Sequence, residues 1–326
     1  ESWSFCLCVS ESQVMSLKNS HTLVRYARNR LREEHMAWRT LFREEWVSVL
    51  VIIFGFLLLL VFTRPLPPNQ ITLAVGQHGS TYEQIGKRYQ EIFAREGVTL
   101  KLLNTKGSRE SLEQAADGKS PVNAGLLLGG IAHKGDYPEL YSLGSVDYLP
   151  LWLFYRGKTL RGQDALNYFK GKPIAIGLEG SGTELLLKKM LAMRGIRLKE
   201  DDENFRRISH AQAMQDLLDG KVEAMAIVDG FDSPTIQTLL AHPELKIFDF
   251  AYAAAYVKRM PYLDMVVIPR GSLDLVKLDP PEDIHMIAST VTLLVEKNMH
   301  PAIQQLFLMA TDEIGDENNH FFGQGD

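Results

Sequence analysis

The chain has 326 residues, 45% hydrophobic and 23% charged, which is material for one or two ordinary globular cores. A formal net charge of -5 excludes a general nucleic-acid binder. The only two cysteines, Cys6 and Cys8, exclude a disulfide scaffold or a thiolate metal site in the main domain, and no function is assigned to them.

Residues 1–45 form a basic arm carrying Lys18, Arg25, Arg28, Arg30, Arg32, Arg39 and Arg43, with Met15 a candidate first residue. Next comes "WVSVLVIIFGFLLLLVFT", residues 46–63, interrupted only by Ser48 and Gly55. Roughly 17–25 apolar residues cross a bilayer, whereas the apolar core of a cleaved signal peptide is about 7–15. Cations crowd the N-terminal flank and only Arg64 follows, so the positive-inside rule puts the arm in the cytoplasm. The expectation is an uncleaved signal anchor spanning the inner (cytoplasmic) membrane once, with the rest of the chain in the periplasm. Residues 64–70, containing "RPLPPN", read as a stiff linker. The chain closes on "HFFGQGD" without an obvious stop signal, which leaves open whether the C-terminus is complete.

From Ile71 onward short apolar runs alternate with helical patterns: "ITLAVG" before "STYEQIGKRYQEIFAREG", "VTLKLLNT" before "SRESLEQAADGK", and "KPIAIGLEG" before "GTELLLKKMLAMRG". "FRRIS" precedes "AQAMQDLLDGK", and "VEAMAIVDG" precedes "SPTIQTLLAH". This is the pattern of an α/β fold with mainly parallel sheets flanked by helices. About 255 residues suit two lobes of roughly 100–150 each. Two extended stretches, Asp147 to Gly157 and Ala254 to Gly271, are the expected crossings. They give lobe 1 as residues 71–153 and 256–326, and lobe 2 as residues 154–255. A helical tail follows "LDMVVIPRG", with Pro301 suited to the first position of the last helix.

Three glycine–serine junctions stand between strand and helix: Gly79-Ser80, Gly107-Ser108 and Gly180-Ser181. Each serine is a credible N-cap, and Ser80 with Glu83 and Ser181 with Glu184 match the capping box. The same termini present unpaired N–H donors and about half a positive charge, which suits a carboxylate or phosphate. In open α/β sheets such loops sit at the carboxyl ends of strands, where ligands bind. Lys106 and Arg109 read as solvated side chains beside one loop.

Catalytic readings find no constellation. "GLEGSGTE" has no lysine after its glycines, so it is no Walker A loop, and Glu179 and Thr183 stand where a nucleophile elbow needs glycines. The nine histidines are scattered without metal spacing, and "GQHGSTYEQIG" lacks the dinucleotide fingerprint. His78 reads as a surface loop histidine. Asp229, in "AIVDGFDS", stands at a strand end and is a cleft candidate. No enzyme activity and no cofactor are expected.

"LAVGQHGSTYEQIGKRYQEIF", "NAGLLLGG", "KPIAIGLEGSGTELLLKKML", "HAQAMQDLLDGKVEAMAIVDGFDSPTI" and "MVVIPRGSLD" together resemble, in this order, the TAXI family of TRAP-transporter solute receptors. The resemblance runs from about Ile71 to the C-terminus and leaves out the arm and anchor. It implies a two-lobed type II periplasmic-binding-protein fold holding a small organic anion, such as a dicarboxylate or a glutamate-like amino acid, and delivering it to a TRAP-type permease. It places Ser80, Thr81 and Tyr82 in the first lobe's ligand loop and Ser181, Gly182 and Thr183 in the second's. Gln77, Ser108, Leu128 and Gly129 of the first lobe and Asp229 of the second are further expected ligand contacts. Ser80 replaces the family's second glycine and Glu83 its second tyrosine. An acid there would repel a dianion unless it is committed to the cap. The alternative function is a solute-sensing or signalling membrane protein that uses the same fold without transport.

Overall fold

The computed structural model describes residues 46–63, 67–133, 135–160, 162, 165–196 and 202–317. The basic arm, Cys6, Cys8, Met15, the first linker residues and "HFFGQGD" lie outside the described residues. The chain divides into two compact units, residues 1–66 and 67–326.

In the first unit, α1 (Trp46–Thr63) is a single helix of 18 residues whose apolar side chains, Ile52 and Phe54 among them, are exposed. At 1.5 Å per residue it rises about 27 Å, short of the roughly 30 Å hydrocarbon core. Among the described residues, no helix is long and apolar enough to cross a membrane.

The second unit is a ten-stranded sheet with helices against it. β1 (Gln70–Ala74), α2 (Thr81–Arg95), β2 (Thr99–Leu103), α3 (Ser108–Ala116) and β3 (Ala124–Leu128) form a parallel trio in the order β2-β1-β3. Further along come β4 (Leu140–Arg156), α4 (Ala165–Tyr168), β5 (Ile174–Ala175), α5 (Gly182–Met193), β6 (Phe205–Arg206), α6 (His210–Leu218) and β7 (Ala224–Val228). β5, β6 and β7 form a second parallel trio, β6-β5-β7, in the same relative order as the first. The architecture therefore repeats although the sequence shows no periodic repeat.

Two long strands join the trios. β4 pairs antiparallel with β7 at its carboxyl end, and β10 (Ile284–Glu296) pairs antiparallel with both β3 and β4. The β4–β10 ladder skips Leu143 and Val146, two bulges that bend the strand just before Asp147. α7 (Pro234–Leu240), β8 (Leu245–Ile247), α8 (Ala253–Arg259) and β9 (Leu263–Ile268) fill the return, β8 on β4 and β9 on β10. The expected extended run from Ala254 is instead helix α8 followed by β9, because "AAAYVKR" is a helix-forming segment with Tyr256 buried.

The unbroken burial of β3 and β7, "AGLLL" and "AMAIV", reflects helices packed on both faces. α9 (Pro301–Glu317) starts at Pro301 as expected and packs on α2. Tyr89, Phe93 and Phe307 meet there with ring centroids 4.6–6.5 Å apart, and Tyr89 Oη and Thr311 Oγ1 share a hydrogen bond of 2.6 Å.

Candidate functional site

The carboxyl ends of both parallel trios meet at one small cavity. It is lined by Gly76, Gln77, Ser80, Tyr82, Gly107 and Ser108 from the first side, with Leu126, and by Ser181, Gly182, Thr183, His210 and Val228 from the second. The cavity's free volume is about 20 Å³, room for about one ordered water. Four helices, α2, α3, α5 and α6, begin at its wall. Each such terminus carries N–H groups outside the intrahelical ladder and a partial positive charge. A second void, walled by Leu153, Phe169, Phe250 and other apolar side chains, offers a solute no polar group to orient it.

The hydroxyls are held in a consistent sense. Ser108 Oγ accepts from Leu128 N at 3.1 Å, Ser181 Oγ from Glu184 N at 3.3 Å and Thr183 Oγ1 from Val228 N at 2.9 Å. A hydroxyl that accepts from a backbone amide keeps its own proton for another acceptor. All three residues are buried, so the surrounding dielectric strengthens any hydrogen bond they donate.

Several contacts close the cavity across the two sides. Thr81 N donates to Asp229 Oδ1 at 2.8 Å, Gly230 N to Thr81 Oγ1 at 2.9 Å, and Arg109 N to Gly180 O at 3.1 Å. The Lys189 ammonium hydrogen-bonds the Gly130 carbonyl and lies 5.2 Å from the Tyr262 ring centroid. A Cβ on Gly107 would lie 2.6 Å from Ser181 Cα, and one on Gly182 would lie 3.2 Å from Leu128 Cβ. Only glycine permits that approach at Gly107, where φ is +149°.

Of the residues expected at the site, Gln77, Ser80, Tyr82, Ser108, Ser181, Gly182 and Thr183 line the cavity together. Thr81 and Asp229 form the bridge beside it, and Leu128 packs under Gly182. Gly129 faces β10 instead: its N–H donates to Thr290 O at 2.7 Å, and a Cβ there would lie 3.3 Å from Tyr262 Cβ. Lys106 and Arg109 have exposed side chains, as read from the sequence, and His78 is exposed beside Glu83.

The capping pattern differs from expectation in detail. Ser181 caps α5, but Glu184 reaches the Gly180 amide rather than that of Ser181, at 3.4 Å. Ser80 does not cap α2 with its side chain; it donates to Gln77 O at 2.7 Å, while Glu83 accepts from Gly79 N at 2.7 Å. Glu83 also meets His78 at 3.0 Å and Lys87 at 3.5 Å, so its carboxylate is committed away from the cavity. Gly107, not Ser108, is the N-cap residue of α3, which frees Ser108 Oγ to hold β3.

Sequence reasoning missed His210. It opens α6 after the Ser209 cap, which accepts from Gln212 N at 3.3 Å. Its signal was available: it stands at the β6–α6 junction, the counterpart of Ser108 at the β2–α3 junction. Burial lowers the His210 pKa below the ordinary histidine value, against an opposing pull from Asp229. Tyr82 is pushed far above the usual tyrosine range by burial, then by Asp229, so it stays protonated. Asp147 is raised to about 6 by burial, with Asp232 adding to the shift. The Tyr82 hydroxyl and Asp229 Oδ2 are buried without a hydrogen-bond partner. Among the described residues, no three histidine, cysteine or acidic side chains cluster to hold a metal.

Two parallel trios crossed by two long strands, with a polar cavity where their carboxyl ends face, make an α/β fold of the type II periplasmic-binding-protein kind, the scaffold of solute-binding proteins. A profile of the NMT1-like family matches residues 73–304, and the chain belongs to that family. A Bordetella bronchiseptica RB50 protein of solved structure is 16% identical, with a TM-score of 0.51, covering 79% of this chain and 77% of that one. A Corynebacterium glutamicum OxyR C206 mutant is 11% identical with a TM-score of 0.50, covering 83% and 71%. The alkanesulfonate-binding protein SsuA from Xanthomonas axonopodis pv. citri, bound to MOPS, is 16% identical with a TM-score of 0.47, covering 76% and 74%. Likeness at these identities is likeness of fold alone. No curated protein matches.

Proposed function

We propose that the chain is a receptor of the TAXI type, which binds a small organic anion in this cavity and hands it to a TRAP-type permease. The observation that carries the reading is the meeting of four helix N-termini with three hydroxyls whose protons are uncommitted to the backbone. Neutral donors and dipoles hold a carboxylate without a lysine or arginine in the cavity wall, so opening the cleft releases it. Ligand affinity for the closed form, in excess of that for the open form, drives closure.

The proposal includes α1 as a membrane tether. Its exposed apolar side chains and the basic residues before it support that role. A tether concentrates the receptor beside a permease in the same membrane.

Ser181→Ala combined with Thr183→Val removes two hydroxyl donors and leaves the fold's apolar contacts in place. Affinity for a bound carboxylate is expected to fall by roughly 10- to 100-fold, as for two hydrogen bonds to a charged group partly replaced by water. Calorimetry on the variant, with a thermal melt to confirm folding, checks this. Unchanged affinity would remove these residues from the site.

A further inference from the structure

At this cavity the helix termini and hydroxyls are all neutral donors, and one residue of the wall can change its charge. His210 lines the cavity from the first position of α6, together with Tyr82, Ser108 and Thr183. Asp229, whose charge acts on His210, has no exposed surface: Oδ1 receives the Thr81 and Gly230 amides at 2.8 and 3.1 Å, and Oδ2 has no partner. A carboxylate oxygen buried without a donor is costly, and a positive charge on the His210 ring would offset that cost through space.

We infer that His210 is the titratable ligand-binding residue of the site: a bound organic anion draws one proton from solvent onto its ring, and the imidazolium is held in the field of the ligand and of Asp229. The inference rests on the solute-receptor reading and adds to it the charge state in which the ligand is held. No bond other than N–H forms, and the buffer supplies the proton.

The surroundings favour this division of labour. Without an anion, burial keeps the imidazole neutral despite Asp229, and the helix N-termini at the wall oppose a positive charge. An anion reverses both the local potential and the balance. The other charged groups nearby do not supply the cation. Tyr82, from α2, remains a neutral phenol. Arg207, from the segment before α6, lies 3.8 Å from Glu184 of α5. Asp216, further along α6, takes the Gln212 amide at 2.7 Å and lies 3.6 Å from Lys221. Asp147 on β4, raised to about 6 by burial with Asp232 adding to the shift, gains no positive charge on titrating.

The test is calorimetry on the full chain in detergent, with succinate and L-glutamate as probes, at pH 7 in Bis-Tris and in Tris, two cationic buffers that do not compete for an anion site. These buffers differ in ionisation enthalpy, so the difference in heat counts protons. The expected result is uptake approaching one proton per bound probe, with affinity falling up to tenfold per pH unit between the free and the liganded histidine's pKa values and levelling off above the latter. His210→Gln is expected to bind more weakly, with no uptake and a flat pH profile. Zero uptake by the unaltered chain overturns the inference. So does uptake that persists in His210→Gln and disappears in Asp147→Asn, because the proton then belongs to Asp147. Failure of every small carboxylate to bind the folded chain contradicts the receptor reading itself, which separates the two failures.

Discussion

At Gly107 the two sides of the cleft meet backbone to side chain, and one methyl group decides whether they can. A Cβ there would lie 2.6 Å from Ser181 Cα, and the residue already holds a positive φ. Gly107→Ala is expected to hold the cleft partly open and to weaken ligand binding by roughly 10-fold or more, from overpacking of about 1–3 kcal/mol. Calorimetry beside a thermal melt separates the two costs, and full affinity in the variant would mean that closure does not need this contact. The junction was legible as a glycine–serine turn before a helix. The assignment of roles was not, because Ser108 is drawn to Leu128 N, a partner distant in sequence. Ser80 fails as a side-chain cap for a similar reason: the α2 terminus is served by Asp229, 148 residues away. Local rules find a helix start, and tertiary contacts choose which atom satisfies it.

Among the elements, helix starts were the most legible part of the site and the long strands the least. Ser181, Ser209 and Ser233 each cap a helix by accepting a backbone N–H. β10 escaped notice because a strand buried on both faces shows an apolar run without clear alternation, and the run blended into the helix that follows it. That helix, α9, is fixed to α2 by Tyr89, Phe93 and Phe307, all buried. Phe307→Ala is expected to cost about 3–5 kcal/mol and to lower the midpoint of urea unfolding in proportion. Ligand affinity at temperatures where the variant is folded is expected to change little, since Phe307 is no part of the cavity wall. A loss below about 1 kcal/mol would mean that α9 is not anchored by this cluster.

For the whole molecule, alternating strands and helices announced the α/β class, and the loops named from sequence do converge on one cavity. What the sequence hid is the topological repeat, β2-β1-β3 answered by β6-β5-β7. Strand order depends on which edges pair, and residue patterning does not encode that directly. The repeat explains why His210 belongs to the site: each trio contributes the turn after its second strand, and β6–α6 was passed over for lack of a glycine–serine signature. The central claim, that this chain closes on a small organic anion, is tested most directly by native mass spectrometry of the full chain released from detergent. The expected result is a single small carboxylate bound at one per chain, displaced when the same compound is added in isotopically labelled form. A chain that carries no such adduct, and whose melting temperature no small carboxylate raises, would contradict the claim.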